Sequence, residues 1–130
     1  MKVAHIALWT KDLDRAAAFW QRTFHAEVGP QYLSKRNEGF RSRFVRLAEG
    51  PALELMTLPG LSDAASANAA TPAQGWAHVA ISLGSEEAVR AMADDMASQS
   101  ALVSAPRWTG DGFYEAVIAD PDGNLIEVTI

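Results

Sequence analysis

Two histidines and two glutamates stand out by their spacing. His5 and His78 are separated by 73 positions, and the same offset carries Glu54 to Glu127. An imidazole is a neutral nitrogen donor and a carboxylate an anionic oxygen donor, so two of each suit a divalent cation. The chain has no cysteine, which removes disulfides, thiolate ligands and a cysteine nucleophile and leaves His and carboxylate to hold any metal. Glu54 lies inside "ALELMT", residues 52–57, a mostly apolar run that reads as a buried strand. A lone carboxylate buried there costs several kcal/mol, whereas one placed on a cation is compensated. One His or one Glu on a strand, taken singly, is more often an ordinary polar residue. Recurrence of both types at one offset is what overrides that reading.

The repeat extends well beyond these four. "VAHIALWTKDLDRAAAF" (Val3 to Phe19) lies over "WAHVAISLGSEEAVRAM" (Trp76 to Met92). With no gap, "EGFRSRFVRLAEGPALELMT" (Glu38 to Thr57) falls on "DGFYEAVIADPDGNLIEVTI" (Asp111 to Ile130), matching Gly39 to Gly112, Phe40 to Phe113 and Gly50 to Gly123. The chain is therefore two copies of one module. Each copy opens with an apolar strand and continues into a helix, with Asp12 and Ser85 as N-cap residues and Asp14, Glu86 and Glu87 in the first turns. Leu13, Ala16, Ala17, Trp20 and Phe24 recur at helical spacing, as do Ala88, Val89, Met92, Ala93 and Met96. Strand-like runs follow, the last two joined by "AEGP" and "DPDGN", the second a hairpin signal through Asp122-Gly123. Each module reads β-α-β-β-β, within one domain over residues 1–130: module one over about 1–58, a linker over about 59–75, and module two over about 76–130.

Strand alternation separates two faces. Ala4, Ile6 and Leu8 share one with Leu53 and Leu55; Ala77, Val79 and Ile81 share the equivalent one with Ile126 and Val128. That apolar face is expected under the helices. The other carries His5, Ala7, Trp9, Glu54 and Met56, and in the second copy His78, Ala80, Leu125 and Glu127. His25 has no counterpart, since the offset reaches Ser98, and its place after a helix suggests a helix-end role.

Composition narrows the partners. At 130 residues and 48% hydrophobic, the chain suffices for one real core. The net charge of -5 argues against nucleic acid or an anionic membrane, and the basic run Lys35 to Arg46 is broken by Glu38 and aromatics, as on a solvated face. No apolar stretch has membrane-spanning length and the N-terminal residues lack a secretory pattern, so a cytoplasmic protein is expected. Neither Gly84-Ser85 nor "GDG" (Gly110 to Gly112) makes a phosphate loop.

"AHIALWTKDLDRAAAFW", "LELMT", "AHVAIS" and "DPDGNLIEV" together resemble the vicinal oxygen chelate superfamily, over essentially the whole chain. The resemblance implies an α+β fold of two tandem βαβββ modules whose mixed sheets curve around a metal, with the helices outside. Within it, His5, Glu54, His78 and Glu127 look most like the ligand set of glyoxalase I. That set implies a divalent ion (Ni, Co, Zn, Mn or Fe(II)) and a lyase or isomerase acting on a small oxygenated substrate, by proton transfer through a metal-stabilised enediolate. Glu127 or Glu54 would be the base. It also implies a homodimer with sites at the interface. Glutathione-using bacterial members usually carry an Arg near the end of the first strand and an Asn soon after the first Glu; here Trp9 and Leu58 stand in those places, which argues against glutathione. An apolar substrate wall is expected instead from Trp9 and Met56, joined by Phe44, Trp108 or Tyr114, each equally readable as core. Two alternatives stand beside this reading: a metal-dependent dioxygenase, against which the extra carboxylate counts, and a drug- or metabolite-binding protein of resistance type, which predicts a decayed His and Glu set.

Overall fold

The computed structural model describes residues 1–62 and 74–130. Most of the linker expected over 59–75 therefore lies outside the described residues. Two compact units, Met1–Asp63 and Ala64–Ile130, divide the chain. The first contains β1 (His5–Trp9), α1 (Leu13–Phe24), β2 (Glu27–Val28), β3 (Tyr32–Leu33), β4 (Arg41–Arg46) and β5 (Ala52–Thr57). The second contains β6 (Val79–Ser82), α2 (Glu86–Ser98), β7 (Leu102–Trp108), β8 (Tyr114–Ala119) and β9 (Leu125–Thr129). The architecture is α+β, built as two tandem modules.

Each unit has one mixed sheet. In the first the order is β1-β5-β4-β2, with β3 also paired to β4; in the second it is β6-β9-β8-β7. The parallel pairs, β1 with β5 and β6 with β9, have the same register: Ile6 faces Leu53 as Val79 faces Ile126, and Ala7 faces Glu54 as Ala80 faces Glu127. A one-residue slip would turn every side chain of a strand to the wrong face, so this coincidence fixes which residues share a surface.

The helices begin as their caps dictate. Asp12 Oδ1 accepts from the Arg15 amide at 3.0 Å, and Ser85 Oγ accepts from the Ala88 amide at 3.1 Å. Such a cap is worth about 0.5–2 kcal/mol over alanine. α1 ends at His25, whose φ of 55° is left-handed, while the Ala26 amide bonds back to the Trp20 carbonyl at 3.3 Å. His25 is thus a helix-end residue. α1 buries Leu13, Ala16, Ala17, Phe19 and Trp20 and packs on β4 and β5, which bury Val45, Leu53 and Leu55. α2 buries Val89, Ala93 and Met96 over the sheet that buries Ala116, Ile118, Ile126 and Val128. Fully burying each larger aliphatic side chain is worth about 1.5–3 kcal/mol. No described helix is long and apolar enough to cross a membrane.

The repeat breaks after the helix. The second copy has one seven-residue strand there, β7, whereas the first has the two-residue pieces β2 and β3. Gly29, Pro30 and Gln31 separate the pieces, and Pro30 has no amide hydrogen with which to continue the ladder. β7 tolerates Pro106 because it is an edge strand, at the cost of register shifts against β8.

Candidate functional site

Sheet alternation and register place the candidate residues. In the first unit His5, Ala7 and Trp9 face Ala52, Glu54 and Met56 across the parallel pair, and Phe44 faces Glu54 from β4. These side chains share the face turned away from α1. His5 stands diagonal to Glu54, within reach for long side chains. Its Nε2 lies 3.7 Å from Glu54 Oε2. In the second unit His78, one residue before β6, lies with Nε2 3.3 Å from Glu127 Oε2. The histidine side chains are 46% and 40% exposed, the glutamates 18% and 17%. Each unit thus offers one accessible imidazole beside one largely covered carboxylate.

These separations bear on metal binding. Two ligands held about 2.1 Å from one ion and at right angles are about 3 Å apart. The observed distances are near that value and longer than a good hydrogen bond, so each pair fits two adjacent positions on a cation. Among the described residues no group of three or more His, Cys, Asp or Glu side chains is gathered closely enough to hold a metal. Each unit by itself supplies two donors.

The second half-site has a marked electrostatic feature. Burial pushes the Glu127 carboxyl above its ordinary range, and Glu115 raises it further, by like charge and by a shared hydrogen bond; His78 opposes the shift and Asp111 adds to it. Glu115 shares the Glu127 face because Val117 faces Glu127 and Glu115 faces Thr129. Arg107 Nη2 anchors Glu115 Oε1 at 3.2 Å. Glu115 was not singled out from sequence because it breaks the repeat: the offset leads back to Ser42. The hairpin at Asp122-Gly123, which fixes Ala119 opposite Leu125, was the signal that could have located it.

The apolar candidates divide. Trp9, Met56 and Phe44 share the Glu54 face, with the Phe44 ring edge-on to His5 at 5.7 Å between centroids and the Arg46 guanidinium over the Phe44 ring. Trp9 is 48% exposed and meets Phe40 edge-on at 6.1 Å, a contact not anticipated from sequence. Tyr114 and Trp108 are placed elsewhere. They face each other across β8 and β7, at a pleat position that alternates with Glu115 and Val117, so they point away from the Glu127 face. Tyr114 is buried there with the Arg90 guanidinium of α2 over its ring. They do not join the substrate wall expected for them, because strand alternation assigns them to the helix side.

A family profile described as the Glyoxalase/Bleomycin resistance protein/Dioxygenase superfamily matches residues 2–128. Among solved structures, the glyoxylase/bleomycin resistance protein/dioxygenase domain from Frankia sp. EAN1pec superposes with a TM-score of 0.81 at 15% identity, over 100% of this chain and 97% of that one. The trypanothione-dependent glyoxalase I of Leishmania major gives 0.74 at 21% identity, over 99% and 86%. A mutant glyoxalase I from Zea mays gives 0.73 at 21%, covering 98% of this chain, which spans only 44% of the maize protein. At these identities the likeness is one of fold. No curated protein matches the sequence.

Proposed function

Because the chain belongs to the glyoxalase/bleomycin resistance protein/dioxygenase superfamily, we propose that His5, Glu54, His78 and Glu127 ligate one divalent cation in a lyase or isomerase of glyoxalase I type. The observation that carries this reading is the duplicated His–Glu pair: one imidazole and one carboxylate per module, on the same face and at 3.7 and 3.3 Å. The donor set suits Ni, Co, Zn, Mn or Fe(II). A bound cation supplies Lewis-acid stabilisation of negative charge developing on a substrate oxygen, worth several kcal/mol.

The remaining chemistry belongs to the chain. Glu127 is the proposed base, taking a proton from the carbon beside a carbonyl and returning it to the neighbouring carbon, so that no electron is gained or lost overall. A carboxylate pushed up by burial and by Glu115 is a better proton acceptor than an ordinary one. Glu54, with Phe44 facing it, is the alternative base. Trp9, Met56 and Phe44 form the proposed apolar wall, and the proposed thiol is one other than glutathione. A homodimer with shared sites, in the cytoplasm, completes the reading.

The test supplies methylglyoxal with a panel of thiols, glutathione included, to protein loaded with each metal in turn. Thioester formation that falls about 10²-fold or more in Glu127→Gln supports the reading. Oxygen uptake with catechols would move the protein to the dioxygenases. Tight binding of a small molecule without turnover or metal would make it a binding protein.

A further inference from the structure

In the first unit the pleat position beyond the His5–Glu54 pair carries one row of side chains across four strands: Trp9 faces Met56, Met56 faces Ser42, and Ser42 faces Tyr32. Two residues along β5 from Glu54, the row lies roughly 7 Å from that position and spans about 14 Å from β1 to β3. Phe40 joins it, because the Ser34 amide donates to the Phe40 carbonyl at 3.0 Å and so extends the β3–β4 pairing by one residue pair. Its ring meets Trp9 edge-on at 6.1 Å and Tyr32 edge-on at 6.4 Å between centroids. Three rings thus form one cluster on the Glu54 face.

The cluster is not core. Trp9 is 48% and Tyr32 57% exposed. Single exposed rings are commonplace, but a contiguous group of them beside donor side chains marks a contact surface. Nor does the fold require these rings. The equivalent row of the second unit reads Ser82, Thr129, Glu115 and Arg107, and β6, β9 and β8 pair in the same order as β1, β5 and β4 with no ring in it. Phe40 recurs as Phe113 at the 73-residue offset, whereas Trp9 and Tyr32 have no aromatic equivalent in the row. Module architecture accounts for the phenylalanine and not for the two exposed rings that flank it.

Ring edges are electropositive and ring faces electronegative, so rings already set edge to face hold a further ring better than a saturated group of similar size. We propose that Trp9, Phe40 and Tyr32 form a subsite for an aryl group, joined by a short linker to the oxygens that the His–Glu face binds. This deepens the lyase reading and rests on it for the position of the reacting oxygens. Under that reading the aryl group belongs either to the carbonyl substrate or to the thiol.

Binding is tested first without turnover. The purified protein is titrated with benzyl alcohol and with cyclohexylmethanol, of similar size but without a π face, and NMR follows the Trp9 indole N–H and the Phe40 amide. Saturable shifts are expected, with benzyl alcohol bound at least about threefold more tightly. Trp9→Leu and Tyr32→Leu should each weaken that binding about three- to tenfold. Leu33→Ala, at the alternate pleat position facing Arg41, should leave it unchanged. Thioester formation then locates the aryl group. Phenylglyoxal favoured over methylglyoxal with one aliphatic thiol places it on the carbonyl substrate; benzyl mercaptan favoured over ethanethiol with methylglyoxal places it on the thiol. In either case the preference, read in KM, should shrink in Tyr32→Leu. Equal binding of the two alcohols, shifts that do not saturate, or ring variants without effect overturn the subsite. Thioester formed at the same KM from aryl and alkyl partners overturns it too. Selective aryl binding with no thioester from any pair supports the subsite and counts against the lyase.

Discussion

Glu115 and Glu127 extend from neighbouring antiparallel strands onto one face of the second sheet, with Val117 opposite Glu127 and Glu115 opposite Thr129. Two carboxylates so close resist ionising together. Their proximity adds to burial in holding the Glu127 proton more firmly than usual. Replacing Glu115 by Gln should lower the pH at which Glu127 titrates in metal-free protein, read from its side-chain carboxyl resonance. An unmoved titration would show that the two do not interact.

The same shift has a consequence for folding. A carboxyl whose folded pKa is raised above its ordinary value favours the folded state below that ordinary value, and the benefit is lost as pH rises through the folded pKa. Once ionised, Glu127 therefore opposes folding of the metal-free protein. Urea unfolding of metal-free Glu127→Gln should give a midpoint at pH 7 no lower than the parent's, with any gain fading towards pH 4. A clear loss of stability at pH 7 would contradict the direction of the shift.

Packing of the first unit gives a third expectation. Leu55 is fully buried beneath α1, whereas Leu33 is 61% exposed. Leu55→Ala should cost about 2–5 kcal/mol and Leu33→Ala no more than about 0.5 kcal/mol in the same urea measurement.

Gly39 and Gly123 both have left-handed φ, at 78° and 85°, but only Gly39 has its absent Cβ overlapping another residue. Gly39→Ala should be the more destabilising of the two alanine variants by about 1 kcal/mol or more, since overpacking adds to backbone strain. Equal losses at the two positions would mean that the Pro59 turn moves aside without cost.

Much of this was legible in the sequence because the repeat is ungapped. One offset transfers α1 to α2 and β4 to β8 almost residue for residue, and strand alternation then puts His5 with Glu54 and His78 with Glu127. Departures from the repeat were harder to see. Glu115 has no acidic counterpart, and its role depends on a cross-strand register that only the hairpin specifies. Tyr114 and Trp108 appeared as pocket aromatics because composition says nothing of face; pleat position assigns them to the helix side. The split between β2 and β3 follows from Pro30, whose missing amide hydrogen acts locally and leaves the hydrophobic pattern intact.

The most direct test of the central claim is the metal content of purified protein, measured by elemental analysis after equilibration with divalent ions, in the parent and in His5→Ala, Glu54→Gln, His78→Ala and Glu127→Gln. One ion per chain, lost or greatly weakened in each of the four variants, is the expected result. No stoichiometric metal in the parent, or uptake that survives removal of either His–Glu pair, would contradict it.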